Sequence, residues 1–264
     1  MESTEIRPIS HQSTNALIFE LVKPWIRKGA VIADVGAGEG FFSQLAGQYA
    51  EREMGVAPSD VVAPSDLFPD LFRYQAVKCA AIGQDGRLPY DDDSVDVACS
   101  LEVVEHLEDQ FAFARELHRI VKPGGIAVIS TPNVLNLNSR WRNLHSGFAV
   151  LFDPLLLSSN DPVHTSGHIH PVSYYYLAYQ LRRAGFIDTT VRYDRFKTSA
   201  RMLAVFLAPF VYCGNFLLRR RLAGRKPDVA RENARILDDL WSFGMMTSRS
   251  IVVIATKGTS AGHA

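Results

Sequence analysis

The run Val31-Ile-Ala-Asp34-Val-Gly36-Ala-Gly38-Glu-Gly40 constrains this chain more than any other segment: an apolar strand pattern empties into alternating glycines and then into helical spacing over Phe41–Tyr49. A strand that turns through glycines into a helix sets bare backbone and a helix N-terminus against whatever binds there, which is the physical basis of a nucleotide-type pocket. The spacing argues against one kind of pocket. A dinucleotide fingerprint needs Gly-x-Gly-x-x-Gly, and the third glycine falls on Phe41 counting from Gly36 and on Ser43 counting from Gly38.

The spacing Asp34-x-Gly36-x-Gly38-x-Gly40 resembles instead the first motif of class I S-adenosylmethionine-dependent methyltransferases. Later landmarks of that superfamily follow in order: Leu88-Pro89-Tyr90, Ser94-Val-Asp96-Val-Ala-Cys99-Ser100 running into Glu102-Val-Val-Glu105-His106-Leu107, and Val121-Lys-Pro-Gly-Gly125 before an apolar run at Ile126–Ser130. With Ser130-Thr131-Pro132-Asn133 at the end of that run, the chain resembles the small bacterial methyltransferases of the type 11 and type 23 group. The likeness covers about residues 29–198 and the final strand near 251–256.

Length and composition allow one domain. At 264 residues the chain can bury a full core, and 47% hydrophobic content is that of an ordinary globular protein. Twenty-eight basic residues balance 28 acidic ones, which argues against bulk attraction to nucleic acid, so no nucleic-acid partner is expected. Cys79, Cys99 and Cys213 have no Cys-x-x-Cys spacing and indicate neither a disulfide framework nor a thiolate metal site; the first two fall in expected strands as buried thiols. The N-terminus lacks the basic-then-apolar order of a secretory signal, and a cytoplasmic location is the expectation, with peripheral attachment at the inner face of the membrane as its variant.

Apolar positions Leu17, Ile18, Leu21, Val22 and Trp25 predict a helix over Ser13–Arg27 within an N-terminal lead-in, residues 1–28. Strands are expected near 30–35, 61–65, 77–82, 95–100, 126–131, 189–196 and 250–256, with helices between the first five and a helix from Ser173 to Gly185. The fold class is therefore α/β, a doubly wound, mostly parallel seven-stranded Rossmann-like sheet. The resemblance implies an antiparallel final strand, preceded here by an apolar helical insertion over 199–248. The tail, 258–264, reads as disordered.

The resemblance implies S-adenosyl-L-methionine as cofactor. Gly36, Gly38 and Gly40 then admit its methionine and ribose portions, and Asp34 pins the turn or meets the amino group. An acid at the end of strand two takes the ribose hydroxyls. The near-duplicate Val-Ala-Pro-Ser-Asp at 56–60 and 62–66 leaves two candidates. Asp66 is preferred because Asp60-Val-Val-Ala is the more strand-like approach and Leu67-Phe68 continues as an apolar wall; Asp60 sits nearer the usual interval. Gln84 or Asp85 would contact adenine, with Ser100 and Leu101 closing the cofactor side of strand four.

On the acceptor side, Glu102, Glu105 and His106 stand at i, i+3 and i+4, a spacing that shares one helical face. Glu102, His106 and His168 are the catalytic candidates. Some relatives add a distal histidine to Glu-x-x-Glu-His and hold a divalent ion on acceptor hydroxyls, which here would use Glu102, Glu105, His106 and His168 of the His164-Thr-Ser-Gly-His168-Ile-His170 segment. Two carboxylates and imidazoles suit Zn²⁺, Mn²⁺ or Fe²⁺ better than Mg²⁺. The competing reading is metal-free, with the histidine packing or capping. Asn133, at the carboxyl end of strand five, could touch the acceptor, and Tyr174–Tyr176 read as packing.

Met202–Leu218 is too apolar for a surface loop and is followed by Arg219-Arg-Arg221, Arg225 and Lys226. Pro209, Gly214 and Asn215 argue against a spanning helix; a helix or hairpin at the headgroup level, over 202–226, competes with a lid that packs Phe206, Phe210 and Phe216 on the core or on a second subunit of a homodimer. Methyl transfer to a hydroxyl or amine of a glycan, lipid-linked intermediate or small metabolite is the leading function. The alternatives are a non-catalytic cofactor-binding partner protein and, disfavoured by Phe41 and Ser43, a nicotinamide-dependent oxidoreductase.

Overall fold

A computed structural model describes residues 6–8, 10–158 and 167–259. The expected disorder at 260–264, the start of the lead-in at 1–5 and His164 lie outside the described residues. Seven strands, β1 (Ile32–Val35), β2 (Val62–Asp66), β3 (Ala80–Ala81), β4 (Val95–Leu101), β5 (Val121–Pro132), β6 (Phe186–Tyr193) and β7 (Ser250–Lys257), form one sheet in the order β3-β2-β1-β4-β5-β7-β6. The first five run parallel, and β7 inserts antiparallel between β5 and β6. This is the doubly wound sheet expected from the sequence.

Alternate residues of the central strands feed opposite faces, as a pleated strand requires. Ala33, Val35, Ala98 and Ile129 meet Phe113, Leu117, Tyr174, Leu177 and Leu181 of α3 (Gln110–Ile120) and α5 (Tyr174–Ala184). Ile32, Val97, Cys99 and Val128 meet Ile18 and Val22 of α1 (Gln12–Val22) and Phe42, Ala46 and Ala50 of α2 (Phe41–Met54). At Gly125 β5 leaves no room for a side chain against β4: a Cβ there would stand 2.6 Å from the Asp96 carbonyl oxygen. Asp96 Oδ2 in turn accepts from the Val31 amide at 3.0 Å and Lys122 Nζ at 2.6 Å, tying the start of β1 to β4 and β5.

Several boundaries differ from expectation for local reasons. The N-terminal helix ends at Val22 and gives way to a 3₁₀ turn at Lys23–Trp25, because Pro24 cannot continue an α-helical ladder. β3 is two residues long rather than six, so Cys79 lies outside a strand; as an edge strand it pairs on one side only, with Ser65 and Asp66. Between β2 and β3 stands a single 3₁₀ turn, Pro69–Leu71, and between β3 and β4 a Gly83–Gly86 turn, in place of the expected helices. The Gly, Pro and Asp density of 83–93 favours turns. β6 begins at Phe186, directly after Gly185 ends α5 with a φ of 118°.

The insertion before β7 is wholly helical: α6 (Thr198–Arg225), α7 (Pro227–Glu232), α8 (Ala234–Asp239) and α9 (Phe243–Thr247), with α4 (Leu137–Ser146) packed beside α6. α6 is one unbroken helix through Pro209, Gly214 and Asn215, not a hairpin. Phe206, Phe210 and Phe216 are exposed, so the lid that would pack them on this chain's own core is not formed.

Candidate functional site

The carboxyl ends of β1, β2, β4 and β5 meet around the glycine turn. Gly36, Gly38 and Gly40 have φ of 78°, 53° and 93°, left-handed values that a side chain resists. The turn is pinned from β2: the amides of Gly36 and Ala37 donate to the Ser65 carbonyl at 2.8 and 3.1 Å, and the Gly38 amide donates to Asp66 Oδ2 at 2.8 Å. Asp66 Oδ1 accepts from the Phe68 amide at 2.8 Å. Asp60 is exposed in a 3₁₀ turn before the amino end of β2, the opposite end of the strand from the glycine turn.

Asp34 is buried beneath the turn and accepts from Ser43 Oγ at 2.6 Å, so the serine occupying a position where a dinucleotide site wants glycine has a role of its own. Burial pushes the Asp34 carboxyl up to about 6, against the pull of the Ser43 hydroxyl and with the Asp66 charge adding to the rise. The segment after β2 folds back over the glycines. Arg73 ion-pairs with Glu39 at 3.5 Å, its amide donates to the Glu39 carbonyl at 3.0 Å, and a Cβ on Gly40 would stand 2.6 Å from the Phe72 ring. No sequence signal marked Phe72 or Arg73, because the contact is made by a loop of ordinary composition.

Gln84 and Asp85 are exposed, and Asp85 Oδ1 accepts from the Arg87 amide at 3.0 Å within its own turn. Ser100 and Leu101 end β4; the Ser100 hydroxyl is buried with no hydrogen-bond partner among the described residues. A cavity of about 690 Å³ lies beside β3, lined by Phe72, Tyr74, Val77, Cys79, Ala80 and Ala81. Burial and the charges of Asp66 and Asp34 push the Cys79 thiol up to about 12, which disfavours its thiolate.

The acceptor side departs from the expected helix face. Glu102 takes a φ of 54° and turns the chain, and Glu105 and His106 follow in a single 3₁₀ turn, Val104–His106, so the three side chains do not share one α-helical face. Burial pushes the Glu102 carboxyl up to about 7, opposed by Arg249 and assisted by Asp194. Glu105 is fully buried, accepts from Thr131 Oγ1 at 3.1 Å, and is held well above the usual carboxylate range by burial and by Glu102. The Ile169 and His170 amides both donate to the Glu105 carbonyl at 3.0 Å, bringing the 167–170 segment back to the end of β4.

That return assembles a cluster of Glu105, His106 and His168. The two imidazoles stand edge to face with centroids 4.8 Å apart, and Phe152 packs on His168 at 5.1 Å. His106 Nδ1 lies 3.0 Å from the Gly167 carbonyl, whereas His170 is exposed and donates to the Leu107 carbonyl at 2.7 Å. The potential ligand atoms of the three residues lie within 4.8 Å of one another. Two ligands of one ion at about 2.1 Å are no more than about 4.2 Å apart, so an ion would require the set to contract. Glu102 is not part of it. His168 is pushed down by burial and by neighbouring His106, and so favours the neutral imidazole.

Asn133 is buried and not directed at a ligand. Its amide donates to the Met245 carbonyl at 2.8 Å and the Ser248 carbonyl at 3.2 Å, and its oxygen accepts from the Leu135 amide at 3.0 Å. It joins β5 to the entry of β7. Tyr174 belongs to the core as expected, with its hydroxyl on Asp239 at 3.1 Å.

A glycine turn braced by an acid at the end of β2, on a 3-2-1-4-5-7-6 sheet, defines the class I methyltransferase fold. Comparison with known proteins agrees. Residues 33–129 match the type 11 methyltransferase domain. A probable S-adenosylmethionine-dependent methyltransferase of Mycolicibacterium smegmatis is 34% identical over 105 residues, 40% of this chain and 39% of that protein. A 2-methyl-6-phytyl-1,4-hydroquinone methyltransferase of Synechocystis is 38% identical over 109 residues, 40% of this chain and 33% of that protein. The chain thus spans little more than a third of the length of these curated relatives. Among solved structures, a SAM-dependent methyltransferase from Archaeoglobus fulgidus superposes with a TM-score of 0.53 at 16% identity, over 92% of this chain and 94% of that one. Phosphoethanolamine N-methyltransferase 2 of Haemonchus contortus, in complex with S-adenosyl-L-methionine, gives 0.51 at 16%, over 94% and 53%; at such identities the likeness is one of fold. Residues 33–129 are thus similar to the methyltransferase domain of the type 11 group, and the fold around them is that of S-adenosylmethionine-dependent methyltransferases.

Proposed function

We propose that the protein transfers a methyl group from S-adenosylmethionine to a hydroxyl or amine of a glycan, a lipid-linked intermediate or a small metabolite. The observation that carries the reading is the pairing, at one edge of the sheet, of the Gly38–Asp66 brace with the Glu105–His106–His168 cluster. The donor groups fit the cofactor. Asp66 keeps lone pairs for ribose hydroxyls beyond its two amide contacts, and the left-handed glycines present backbone without side chains. The bound cofactor supplies an electrophilic methyl on a sulfonium, open to in-line displacement; positioning of the acceptor and exclusion of water do much of the rest.

An acceptor hydroxyl or ammonium must lose a proton as its oxygen or nitrogen bonds to the methyl carbon. His168, disposed to be neutral by its half-buried site, is suited to take it, and His106 beside it to orient either ring or acceptor. Glu105, fully buried and disposed to be protonated, adds no negative charge beside the two imidazoles.

The test is transfer of labelled methyl from S-adenosylmethionine into the aqueous and lipid fractions of a cell extract, alongside calorimetry of cofactor binding. Label in an extract component supports the enzyme reading. Cofactor binding with no transfer would make the protein a cofactor-binding partner, and no binding at all would remove the site assignment.

A further inference from the structure

α6 is apolar all the way round, and the protein covers one side of it. From Met202 to Leu218 the sequence has no charged residue. A stripe comprising Leu203, Ala204, Leu207, Ala208 and Val211 packs with Leu137 of α4 and Met246 of α9. The opposite stripe, Met202, Val205, Phe206, Phe210, Phe216 and Leu217, is 58 to 76% exposed. Only 6% of the most apolar eighteen residues of the helix is buried. α4 adds Trp141 and Leu144, both exposed, beside it. A helix of this kind on an ordinary soluble surface is half-finished: an apolar helix is stable when both sides are covered.

The charges around the stripe say what covers it. Residues 195–226 hold Arg195, Lys197, Arg201, Arg219, Arg220, Arg221, Arg225 and Lys226 and no acidic residue, in a chain whose 28 basic and 28 acidic residues balance only as a whole. Both ends of the bare stripe are thus positive. A second copy of the chain laid on this face, parallel or antiparallel, would bring arginine ends against arginine ends, whereas an anionic lipid surface meets apolar side chains and positive flanks together. The helix does not leave the protein to span the bilayer. Its inner stripe is packed, and near its C-terminus Arg219 bonds Asn215 and Asp238 at 2.9 and 2.5 Å.

The placement matters for the site. β6 is parallel to β5, and Tyr193 at its end is in register with Ile251, which pairs with Thr131 at the end of β5. α6 therefore starts from the same edge of the sheet that carries the glycine turn and the histidine cluster.

We infer that α6 is a membrane-docking helix, seating its bare stripe at the headgroup–acyl boundary of an anionic lipid surface and holding the acceptor side of the site at that surface. The docking stands on α6 alone; its consequence, an amphiphilic acceptor taken from the bilayer, rests on the methyl-transfer reading above.

Flotation of the full chain with phosphatidylcholine vesicles, with and without phosphatidylglycerol, tests the docking without cofactor. The expected result is co-flotation with the anionic vesicles, weakened by high salt. Arg220→Ser with Arg221→Ser lowers the partition coefficient roughly thirtyfold, at the usual strength of a basic side chain near anionic lipid, and Phe206→Ser with Phe210→Ser abolishes flotation. All four side chains are exposed, and calorimetric binding of S-adenosylmethionine by each variant reports that the fold is intact. Wild-type protein that stays at the bottom of the gradient overturns the inference. So does a wild-type dimer that the phenylalanine variant splits while neither protein floats, which would make this face a homodimer contact. Both results leave the methyl-transfer reading standing, and loss of cofactor binding would leave the docking standing.

Discussion

The Gly38 amide donates to Asp66 Oδ2 at 2.8 Å, so the acid at the end of β2 holds the glycine turn at the end of β1 in place. Asp66→Ala removes the brace and, if Asp66 takes the ribose hydroxyls as proposed, a charged acceptor for both, and is expected to weaken cofactor binding by about 1.5–3 kcal/mol. Asp60→Ala, at the amino end of the strand, should leave it unchanged. Isothermal calorimetry on the two variants decides; the opposite pattern would transfer the ribose contact to Asp60.

The buried Asp34 carboxyl has a measurable pH signature. It ionises near 3.8 when unfolded and at about 6 in the native protein. Between these values the native state binds more protons, so this group's contribution lowers stability as pH rises from about 4 to 6, by about 3 kcal/mol in all, and adds no further change above that. Asparagine has no proton to lose. The stability of Asp34→Asn relative to wild type should therefore climb across that window, read from urea midpoints at pH 4 and pH 7; parallel pH profiles for the two proteins would show that Asp34 titrates normally.

Gly40 and Gly29 separate strain from crowding. Both have positive φ, 93° and 81°, but a Cβ at Gly29 meets nothing within 4 Å whereas one at Gly40 stands 2.6 Å from the Phe72 ring. Gly29→Ala should cost about 1 kcal/mol of stability and leave cofactor affinity intact. Gly40→Ala should cost more, displace Phe72 and weaken the cofactor, an outcome that a melting curve and a binding isotherm on each variant would register. Equal effects at the two positions would mean that Phe72 yields freely.

If His168 takes the acceptor proton, the transfer rate should be flat above neutral pH and fall on the acid side, at a pH below the ordinary imidazole range because the folded site disfavours the charged ring. His168→Ala should remove that acid limb and lower kcat by about 10²-fold or more. Exhaustive chelation should leave the rate unchanged. Loss of activity on chelation, restored by Zn²⁺ or Mn²⁺, would turn the Glu105–His106–His168 cluster into a metal site.

Much of the frame was legible because it is written locally. Strand β1 and the turn after it are contiguous in sequence, and so are the apolar runs of β4, β5 and β7 and the Ser173 and Gly185 that bound α5. Where local chemistry was weak, reading failed: β3 and its flanking loops have turn composition and depend on one neighbouring strand, and Glu102 looked helical by spacing until its left-handed φ broke the face.

The sequence by itself determined the class of fold, the glycine turn, the acid pair at the ends of β1 and β2, and an apolar segment too hydrophobic for a loop. Tertiary structure alone decided which groups meet. β7, the final strand, inserts between β5 and β6, which puts Ser248 against Asn133 and takes that asparagine out of the site. The 167–170 segment reaches Glu105 across more than sixty residues, and α6 buries one stripe while leaving the other bare. The reason is physical: periodicity and turn chemistry act over a few residues, whereas the partner of a buried polar atom or an apolar face is set by whichever distant element the closed sheet brings alongside.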